Sequence, residues 1–367
     1  MHFSIDRDLW EYLAATDKTI VMYGMGNGAD KILAVCAEKG IVVSDFFASD
    51  GFVRGHFFHG KKVLSWSETK EKYGTERLIV LLSFGTSRED VLQTILSVAR
   101  EAELYAPDVP AFGDGLFDRA FLTAHAQELK EVYALLSDEE SRRIFKNVVN
   151  FKLTGKIDFL FDAVSDPEAV MRELVEPHRI RTAADLGAYN GDTVRELLDF
   201  PDSTVQKIWA MEPDARNFRK LKAYADAETR AAVLPFAVGA WNESATLYFD
   251  GSGNRNASFG TNRSETLADR PVKLIEISAE TLDNIMNGET VEYIKYDVEG
   301  SEREAIMGSA STIRATHPTL LVSLYHRNED IFSLPLLIHR NFPMYSRFYI
   351  RRFAGVPAWD LNLYCKR

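Results

Sequence analysis

One run of eleven residues near the middle of the chain constrains the fold most, because it combines a buried strand, a glycine turn and a helix start. The run is Ala183-Ala184-Asp185-Leu186-Gly187-Ala188-Tyr189-Asn190-Gly191-Asp192-Thr193. Small apolar residues lead into an acid, and two glycines four positions apart precede polar residues that can open a helix. Glycine permits a tight turn, and a helix start presents unpaired N–H groups. The run therefore predicts the first strand, turn and helix of a nucleotide-binding α/β domain.

A second acid stands where the next strand is predicted to end. Trp209-Ala210-Met211 is apolar, and Glu212-Pro213 follows it directly. An acid at the carboxyl end of the second strand can accept both hydroxyls of an adenosine ribose. The spacing D-x-G-x-x-x-G differs from the dinucleotide pattern G-x-G-x-x-G. Asp185 and Glu212 therefore predict one cofactor site across two neighbouring strands, although a plain solvent-facing turn would carry the same Glu212-Pro213 pair.

Composition and charge narrow the class of protein. The chain has 367 residues, enough for about two domains. Its net charge of -11 argues against a nucleic-acid partner, since such binding needs clustered Lys and Arg. The longest apolar runs, such as 78–82, have the length of a strand and are too short to span a bilayer. Cys36 and Cys365 lie far apart and suit a reducing compartment. With no signal-like N-terminus, we expect a cytoplasmic protein without a membrane span.

Three segments are predicted along the chain, and together they give an α/β fold with two Rossmann-like domains. Residues 1–115 alternate strand and helix patterns and predict an N-terminal accessory domain. Residues 116–178 are mostly helical in pattern and predict a bridge. Residues 179–367 predict the cofactor domain, a mostly parallel seven-stranded sheet with helices on both faces. The stretch 250–271, rich in Gly, Ser, Asn and Arg, predicts a long loop that either orders over a substrate or is merely solvated.

The N-terminal segment carries a glycine turn of its own. Gly24-Met25-Gly26-Asn27-Gly28-Ala29 follows an apolar run, and a strand over Ile41-Val42-Val43 is predicted to end at Asp45. Two glycines and a later acid fit the dinucleotide fingerprint and predict NAD or a nucleotide-sugar. However, no Tyr in the chain has a Lys four positions later, so the catalytic pair of short-chain dehydrogenases is absent. An accessory domain without redox chemistry is the preferred interpretation.

A third acidic block follows another apolar strand. It is Tyr293-Ile294-Lys295-Tyr296-Asp297-Val298-Glu299-Gly300-Ser301-Glu302. Ligands of open α/β sheets lie outside the carboxyl ends of the strands, which places Asp297 and Glu299 towards a cofactor or acceptor. Asp297 could instead cap a following helix, but capping does not readily explain both acids.

These blocks together resemble the FkbM-type family of class I S-adenosylmethionine-dependent methyltransferases. The run from Asp185 to Thr193, then Glu212-Pro213, Ala237-Val238-Gly239 and the block 294–302 occur in the order and spacing of that family, over roughly residues 180–365. The resemblance implies a class I methyltransferase fold, S-adenosylmethionine as methyl donor, and a hydroxyl acceptor on a sugar or related small molecule. The cofactor-binding residues it implies, with the polar and turn residues of the same motifs, are Asp185, Gly187, Tyr189, Asn190, Gly191, Thr193, Glu212 and Pro213.

The predicted catalytic residues are Asp297, Glu299 and His326. A hydroxyl acceptor benefits from a base while its bond to the methyl group forms. His326 stands just past a strand predicted over 319–325, again at a carboxyl end, although a lone histidine is often structural. A divalent metal on these three side chains is conceivable from the ligand types, but nothing in the sequence fixes a geometry, and a metal-free mechanism is expected.

The sequence thus predicts transfer of a methyl group from S-adenosylmethionine to a hydroxyl of a small-molecule or glycan acceptor. An oxidoreductase or epimerase using the Gly24 turn and Asp45 is the alternative, and a non-catalytic nucleotide-binding module is a third hypothesis. Whether the chain forms a homodimer is left open.

Overall fold

The computed structural model describes residues 7–53, 55–250, 259–260 and 274–367. Seven strands and four helices form the N-terminal part. The strands are β1 (Thr19–Tyr23), β2 (Val43–Ala48), β3 (Phe57–Phe58), β4 (Lys61–Lys62), β5 (Leu64–Ser65), β6 (Leu78–Leu82) and β7 (Glu103–Tyr105). The helices are α1 (Leu9–Ala15), α2 (Asn27–Glu38), α3 (Trp66–Tyr73) and α4 (Glu89–Glu101).

The N-terminal sheet is parallel, with the strand order β5-β2-β1-β6-β7. Its interior strand β6 is a continuous apolar run that is buried throughout, as expected for a parallel strand covered on both faces. The chain moves outwards from β1 to β2 and β5 and then returns to β6. The order of connections therefore reverses between β1 and β6.

The second strand of this sheet corrects the sequence prediction. The strand begins at Val43, whereas Ile41 closes the preceding helix: its N–H donates to the carbonyl of Cys36 at 2.8 Å, just after Gly40 in a left-handed conformation. This is the hydrogen bond of a Schellman cap, in which the residue after the glycine packs back on its helix. Asp45 consequently lies inside β2, opposite Val21, and not at the strand end.

Helices connect the two sheets. They are α5 (Arg119–Ala124), α6 (Ala126–Leu135), α7 (Glu139–Thr154), α8 (Asp158–Phe161) and α9 (Pro167–Val170), followed by a π-helical turn, Met171–Val175. Helix α7 begins where the Asp138 carboxylate accepts a hydrogen bond from the Ser141 N–H at 2.8 Å. The same carboxylate pairs with Arg351 in the last part of the chain at 2.6 Å, so this cap also ties the connecting helices to the second sheet.

The C-terminal part has eleven strands and six helices among the described residues. The strands are β8 (Thr182–Leu186), β9 (Lys207–Met211), β10 (Ala232–Phe236), β11 (Gly239–Ala240), β12 (Ala245–Asp250), β13 (Phe259–Gly260), β14 (Leu274–Glu280), β15 (Tyr293–Tyr296), β16 (Thr319–Ser323), β17 (Arg347–Arg352) and β18 (Leu361–Lys366). The helices are α10 (Asp192–Asp199), α11 (Ala215–Ala227), α12 (Leu282–Met286), α13 (Glu302–Met307), α14 (Ala310–Thr316) and α15 (Asp330–Asn341).

The main sheet of this part has seven strands in the order β10-β9-β8-β15-β16-β18-β17. The strands are parallel except β18, which pairs antiparallel with both β16 and β17. The predicted α/β class with a parallel sheet is confirmed. The connections reverse between β8 and β15, and ligands of open α/β sheets bind at this kind of position. A smaller sheet, β11-β14-β12-β13, adjoins it in sequence.

One apolar core joins the two sheets. Buried side chains of β1 and β6 belong to the same contiguous cluster as those of α7 and of β8, β15 and β17, whereas α10 and α11 cover the opposite face of the second sheet with a separate cluster. Among the described residues, no helix has both the length and the apolar character that crossing a membrane requires.

Candidate active site

A cavity of about 1330 Å³ opens at the carboxyl edge of the second sheet, beside the reversal between β8 and β15. Residues from the ends of β8, β9 and β15 line it, together with the start of α11 and parts of β14 and β18. The predicted residues found in this lining are Gly187, Tyr189, Thr193, Glu212, Pro213, Asp297 and Glu299. The strand ends that the sequence placed together are therefore together in the fold.

Gly187 allows β8 and β15 to leave the sheet side by side. Its φ is +84°, and a Cβ built on it would lie 1.8 Å from the carbonyl oxygen of Asp297. A side chain at this position would meet backbone, which cannot move aside easily, so only glycine is compatible with this approach. The Asp297 N–H in turn donates to the carbonyl of Leu186 at 3.0 Å. The glycine thus fixes the distance between the predicted cofactor and acceptor sides.

Asp185 is a buried carboxylate with an unpaired oxygen. Its side chain is 1% exposed, and Lys295 Nζ lies 3.4 Å from Oδ1. The other oxygen, Oδ2, has no hydrogen-bond partner among the described residues. Burial raises the pKa of Asp185, and the ammonium of Lys295 opposes this effect. A buried acceptor without a partner costs free energy. Asp185 itself is not among the residues that line the cavity, whereas Lys295, which faces it, is.

Glu212 is held by two backbone N–H groups at the end of β9. Tyr189 donates to Oε2 at 2.9 Å, and Asp214 donates to Oε1 at 2.8 Å. These bonds aim the carboxylate between the β8 turn and the start of α11, and it lines the cavity. Burial raises the pKa of Glu212 to about 7, and the two hydrogen bonds only partly counter this effect.

The remaining predicted cofactor-binding residues lie in the turn between β8 and α10, and their contacts differ. Tyr189 has a left-handed backbone (φ 47°) and an exposed ring, and Thr193 stands in the first turn of α10. Gly191, also left-handed, is the residue that precedes that helix. Asn190 is engaged elsewhere, because its side-chain carbonyl accepts a hydrogen bond from Arg195 at 3.2 Å. Asn190 therefore braces α10 and is not among the residues that line the cavity.

Asp297 connects the cofactor side to the acceptor side. Its Oδ1 accepts a hydrogen bond from the Tyr325 hydroxyl at 2.9 Å, and Lys295 Nζ lies 3.5 Å from Oδ2. Burial would raise its pKa, but Lys295 and His326 outweigh burial, and the pKa of Asp297 is lower than usual. Asp297 does not cap the next helix: α13 follows Ser301 without a side-chain cap.

His326 is buried among three carboxylates. Nδ1 lies 2.8 Å from Glu302 Oε1, while Nε2 lies 3.6 Å from Asp297 Oδ1 and 3.4 Å from Glu299 Oε2. Burial alone would lower the pKa of His326, but Glu302, Asp297 and Glu299 outweigh it and raise the pKa to about 10. In this arrangement the ring is an imidazolium at neutral pH and is not available as a proton acceptor.

Glu302 is a site residue that the sequence analysis did not assign. It is 1% exposed, and its Oε1 accepts hydrogen bonds from the backbone N–H groups of Val298 at 3.0 Å and Gly300 at 3.4 Å as well as facing His326. Acids are common in the first turn of a helix because they complement its dipole. Glu302 was therefore not recognised from sequence as a site residue. The sequence could have indicated it, because Glu302 is the last acid of the acidic block 293–302.

The N-terminal part also contributes to this site. Phe112 is buried, its N–H donates to the His326 carbonyl at 3.1 Å, and its ring meets the imidazole edge to face with 5.6 Å between centroids. A Cβ on Gly300 would lie 3.2 Å from the same ring. Asn328 reaches the carbonyl of Gly115 at 3.3 Å. The segment 112–115 therefore forms a wall behind His326, a contact that no local sequence pattern could reveal.

The N-terminal glycine turn lacks the features of a dinucleotide site. Asp45 accepts hydrogen bonds from Lys72 Nζ at 2.7 Å and the Tyr73 hydroxyl at 2.5 Å, so it is engaged inside the sheet. A Cβ on Gly28 would lie 2.2 Å from the Ser83 carbonyl, which explains that glycine by packing. The prediction that the second strand ends at Asp45 is wrong, because this strand runs from Val43 to Ala48 and Asp45 lies inside it.

Two further stretches, 345–353 and 250–271, contain several arginines. The basic and aromatic stretch 345–353 contains the edge strand β17, in which Arg351 pairs with Asp138 and the buried Arg352 donates to the Leu160 carbonyl at 2.9 Å. These arginines therefore fasten the connecting helices. Asn254, Arg255, Asn256 and Arg263 belong to the stretch that either orders over a substrate or is merely solvated, and they lie outside the described residues.

Comparison with known proteins finds a family match in the C-terminal part of the chain. Residues 185–347 match the model of the methyltransferase FkbM domain, which confirms the family predicted from the motifs. The crystal structure of methyltransferase FkbM from Methylobacillus flagellatus KT superposes with a TM-score of 0.67 at 18% identity, covering 95% of this chain and 90% of that one. This likeness shows that the fold extends over both parts of the chain.

A second solved structure matches over a smaller region. It is fibrillarin from Aeropyrum pernix, solved in complex with natively bound S-adenosyl-L-methionine, with a TM-score of 0.32 at 12% identity over 54% of this chain and 72% of that one. None of the curated proteins compared with the chain matches it.

Proposed function

We propose, from the premise that residues 185–347 form a methyltransferase FkbM domain, that the chain transfers a methyl group from S-adenosylmethionine to a hydroxyl of a small molecule or glycan. A hydroxyl on a sugar or a sugar-containing metabolite is the acceptor we expect. The cytoplasm is the compartment we propose, in keeping with two buried free cysteines, Cys36 and Cys365.

The assignment of the methyl donor rests on the pair of buried carboxylates at the ends of β8 and β9. Asp185 Oδ2 lacks a partner among the described residues, which suits a ligand with a positive charge and a hydrogen-bond donor, such as the amino group of S-adenosylmethionine. Glu212 is aimed into the cavity by two backbone bonds and suits the ribose hydroxyls. The cavity exceeds the typical volume of roughly 300–1,000 Å³ for one small ligand, which leaves room for an acceptor beside the donor.

The main task of the protein in this reaction is to position the acceptor hydroxyl against the methyl group. Bound S-adenosylmethionine supplies an electrophilic methyl group on a positively charged sulfur. Asp297 borders the cavity and, with its lowered pKa, stays ionised and can accept a hydrogen bond from the acceptor hydroxyl, which orients the oxygen. Glu299 is 57% exposed beside it and can pass the released proton to water. His326, charged between them, holds both carboxylates in place.

The alternatives receive less support. An oxidoreductase or epimerase would need the N-terminal turn, yet Asp45 is engaged by α3. Packing alone accounts for the glycine at position 24, because a Cβ there would lie 2.6 Å from the ring of Phe84. A non-catalytic nucleotide-binding module would share the donor site and would differ only in lacking turnover.

Calorimetric titration of S-adenosylhomocysteine into the full-length chain tests the donor site, with NAD titrated in parallel. We expect one site per chain for S-adenosylhomocysteine and no heat of binding for NAD. Asp185→Asn and Glu212→Gln should each weaken binding by about 10–100-fold, the worth of a hydrogen bond to a charged group.

Asp45→Asn is the matched control, because it removes a buried acid from a parallel strand of the N-terminal sheet, away from the cavity. Its affinity for S-adenosylhomocysteine should equal that of the unmodified chain. Binding of NAD alone, or equal affinity in all three variants, would overturn the donor assignment. Methyl transfer from labelled S-adenosylmethionine to a panel of hydroxylated acceptors then separates an enzyme from a binding module.

A further inference from the structure

The cluster around His326 contains more charged side chains than a hydrogen bond to an acceptor requires. Asp297, Glu302 and His326 offer ligand atoms that all lie within 4.8 Å of one another, and Glu299 approaches the same ring from the cavity side. His326 and Glu302 are each at most 2% exposed. An imidazole with several carboxylates is a donor set typical of a divalent-cation site.

Glu302 engages one ring nitrogen of His326 and leaves the other facing Asp297 and Glu299. Its Oε1 holds Nδ1 at 2.8 Å and is itself held by two backbone N–H groups. Histidines that bind metals almost always donate their other ring N–H to a carboxylate or carbonyl in this way. The second oxygen of Glu302, Oε2, is buried and has no hydrogen-bond partner among the described residues. This carboxylate can therefore still accept a hydrogen bond.

The spacing on the other side of the ring suits a shared cation. Nε2 lies 3.4 Å from Glu299 Oε2 and 3.6 Å from Asp297 Oδ1, beyond ordinary hydrogen-bond lengths. Two ligand atoms that each lie about 2.1 Å from one cation are separated by roughly 3.0–3.4 Å at octahedral to tetrahedral angles. Both separations from Nε2 are close to these values.

We propose that His326 Nε2, Asp297 and Glu299 bind one divalent cation of the Mn²⁺ type at the acceptor edge of the cavity, with Glu302 positioning the imidazole. A cation held by three side chains keeps coordination positions open, and these can take an acceptor oxygen. Coordination lowers the pKa of a bound hydroxyl group. Cation binding displaces the proton from Nε2, while the proton on Nδ1 stays towards Glu302, and the site would thus supply a Lewis acid to the acceptor oxygen. This inference rests on the proposed function and replaces the metal-free mechanism expected from sequence.

Titration of Mn²⁺ alone into the full-length chain, followed by the loss of the free-ion electron paramagnetic resonance signal, tests the site without donor or acceptor. We expect one saturable Mn²⁺ per chain. Glu299→Gln and Asp297→Asn should each weaken binding at least tenfold.

His59→Asn is the matched control, because His59 and Asp30 form an exposed histidine–carboxylate pair with 2.7 Å between Nε2 and Oδ1, away from this cavity. It should leave the Mn²⁺ affinity unchanged. Absence of saturable binding, or equal affinity in Glu299→Gln and the unmodified chain, would overturn the proposal. Because Glu299 is 57% exposed, its variant remains informative even where Asp297→Asn fails to fold.

S-adenosylhomocysteine titrated into the same preparations separates this inference from the proposed function. Binding of S-adenosylhomocysteine without Mn²⁺ binding would overturn the cation site and leave the methyltransferase assignment standing. Mn²⁺ binding without any S-adenosylhomocysteine binding would support the cation site and remove the donor site. Glu302→Gln should weaken Mn²⁺ binding while leaving S-adenosylhomocysteine affinity unchanged, as expected of a positioning residue on the acceptor side.

Discussion

At the scale of single residues, the donor site depends on the ionisation of Glu212. Burial raises its pKa to about 7 in the free protein, although two backbone N–H groups favour the charged form. The raised pKa means that Glu212 stabilises the free fold below its ordinary value of 4.5 and that this contribution is lost as pH rises through about 7. The free protein thus gives up some stability to present an ionised carboxylate to a ligand.

The affinity for S-adenosylhomocysteine should therefore fall as the pH is lowered from 8 to 6. Ribose hydroxyls donate to the carboxylate, and protonation removes an acceptor, so we expect a loss of up to about tenfold over this range. Calorimetric titrations at four pH values measure it. Glu212→Gln should bind weakly and show no such slope. An unmodified chain whose affinity is flat between pH 6 and 8 would contradict the role of Glu212.

The sequence correctly placed the residues of local motifs at one edge of the sheet. Asp185, Gly187 and Glu212 stand at strand ends with characteristic spacing, and strand ends of a parallel sheet meet at one edge. Lys295, Glu302 and Phe112 escaped because their roles depend on partners far along the chain. His326 was found, but its charge state follows from three carboxylates that only the fold brings together.

At the scale of elements, close packing of β8 and β15 should make Gly187 one of the least replaceable residues. Gly187→Ala would place a methyl group 1.8 Å from the Asp297 carbonyl at a φ of +84°. Such a contact forces the backbone to move, so we expect a loss of at least about 3 kcal/mol in the free energy of unfolding, measured in urea. S-adenosylhomocysteine affinity should fall with it, because the exit of β15 would shift.

Gly288 provides a control with nearly the same backbone conformation. Its φ is +82°, and a Cβ there would meet nothing within 4 Å. Gly288→Ala should cost only the roughly 1–2 kcal/mol of a left-handed alanine. Equal losses in the two variants would mean that the approach of Asp297 to Gly187 carries no energetic weight.

Most strands of the second sheet were predicted within a few residues, because continuous apolar runs bounded by turns identify buried parallel strands. The second strand of the first sheet was misplaced because Ile41 is apolar for another reason: it packs back on α2 as part of the helix cap. Val42, the next apolar residue, is 76% exposed. Periodicity alone cannot separate a cap contact from the start of a strand.

At the scale of the whole molecule, the two sheets share one apolar core. Phe145 and Val148 of α7 lie in the same buried cluster as Val80 of the first sheet and Phe348 of the second. The Phe112 wall behind His326 adds a direct link between the N-terminal part and the candidate active site. We therefore propose that the three predicted segments are one cooperative unit and not independently folding domains.

Differential scanning calorimetry of the full-length chain should consequently show a single transition. A hundredfold excess of S-adenosylhomocysteine over its Kd adds about 2.7 kcal/mol, and for a chain of this size it should raise the whole transition by roughly 3–4 °C. No residue of the first sheet lines the cavity, so a shift of the entire transition requires the first sheet to unfold with the second. Two transitions, of which only one moves, would show instead that the shared core is too weak to couple the sheets and that the N-terminal part folds alone.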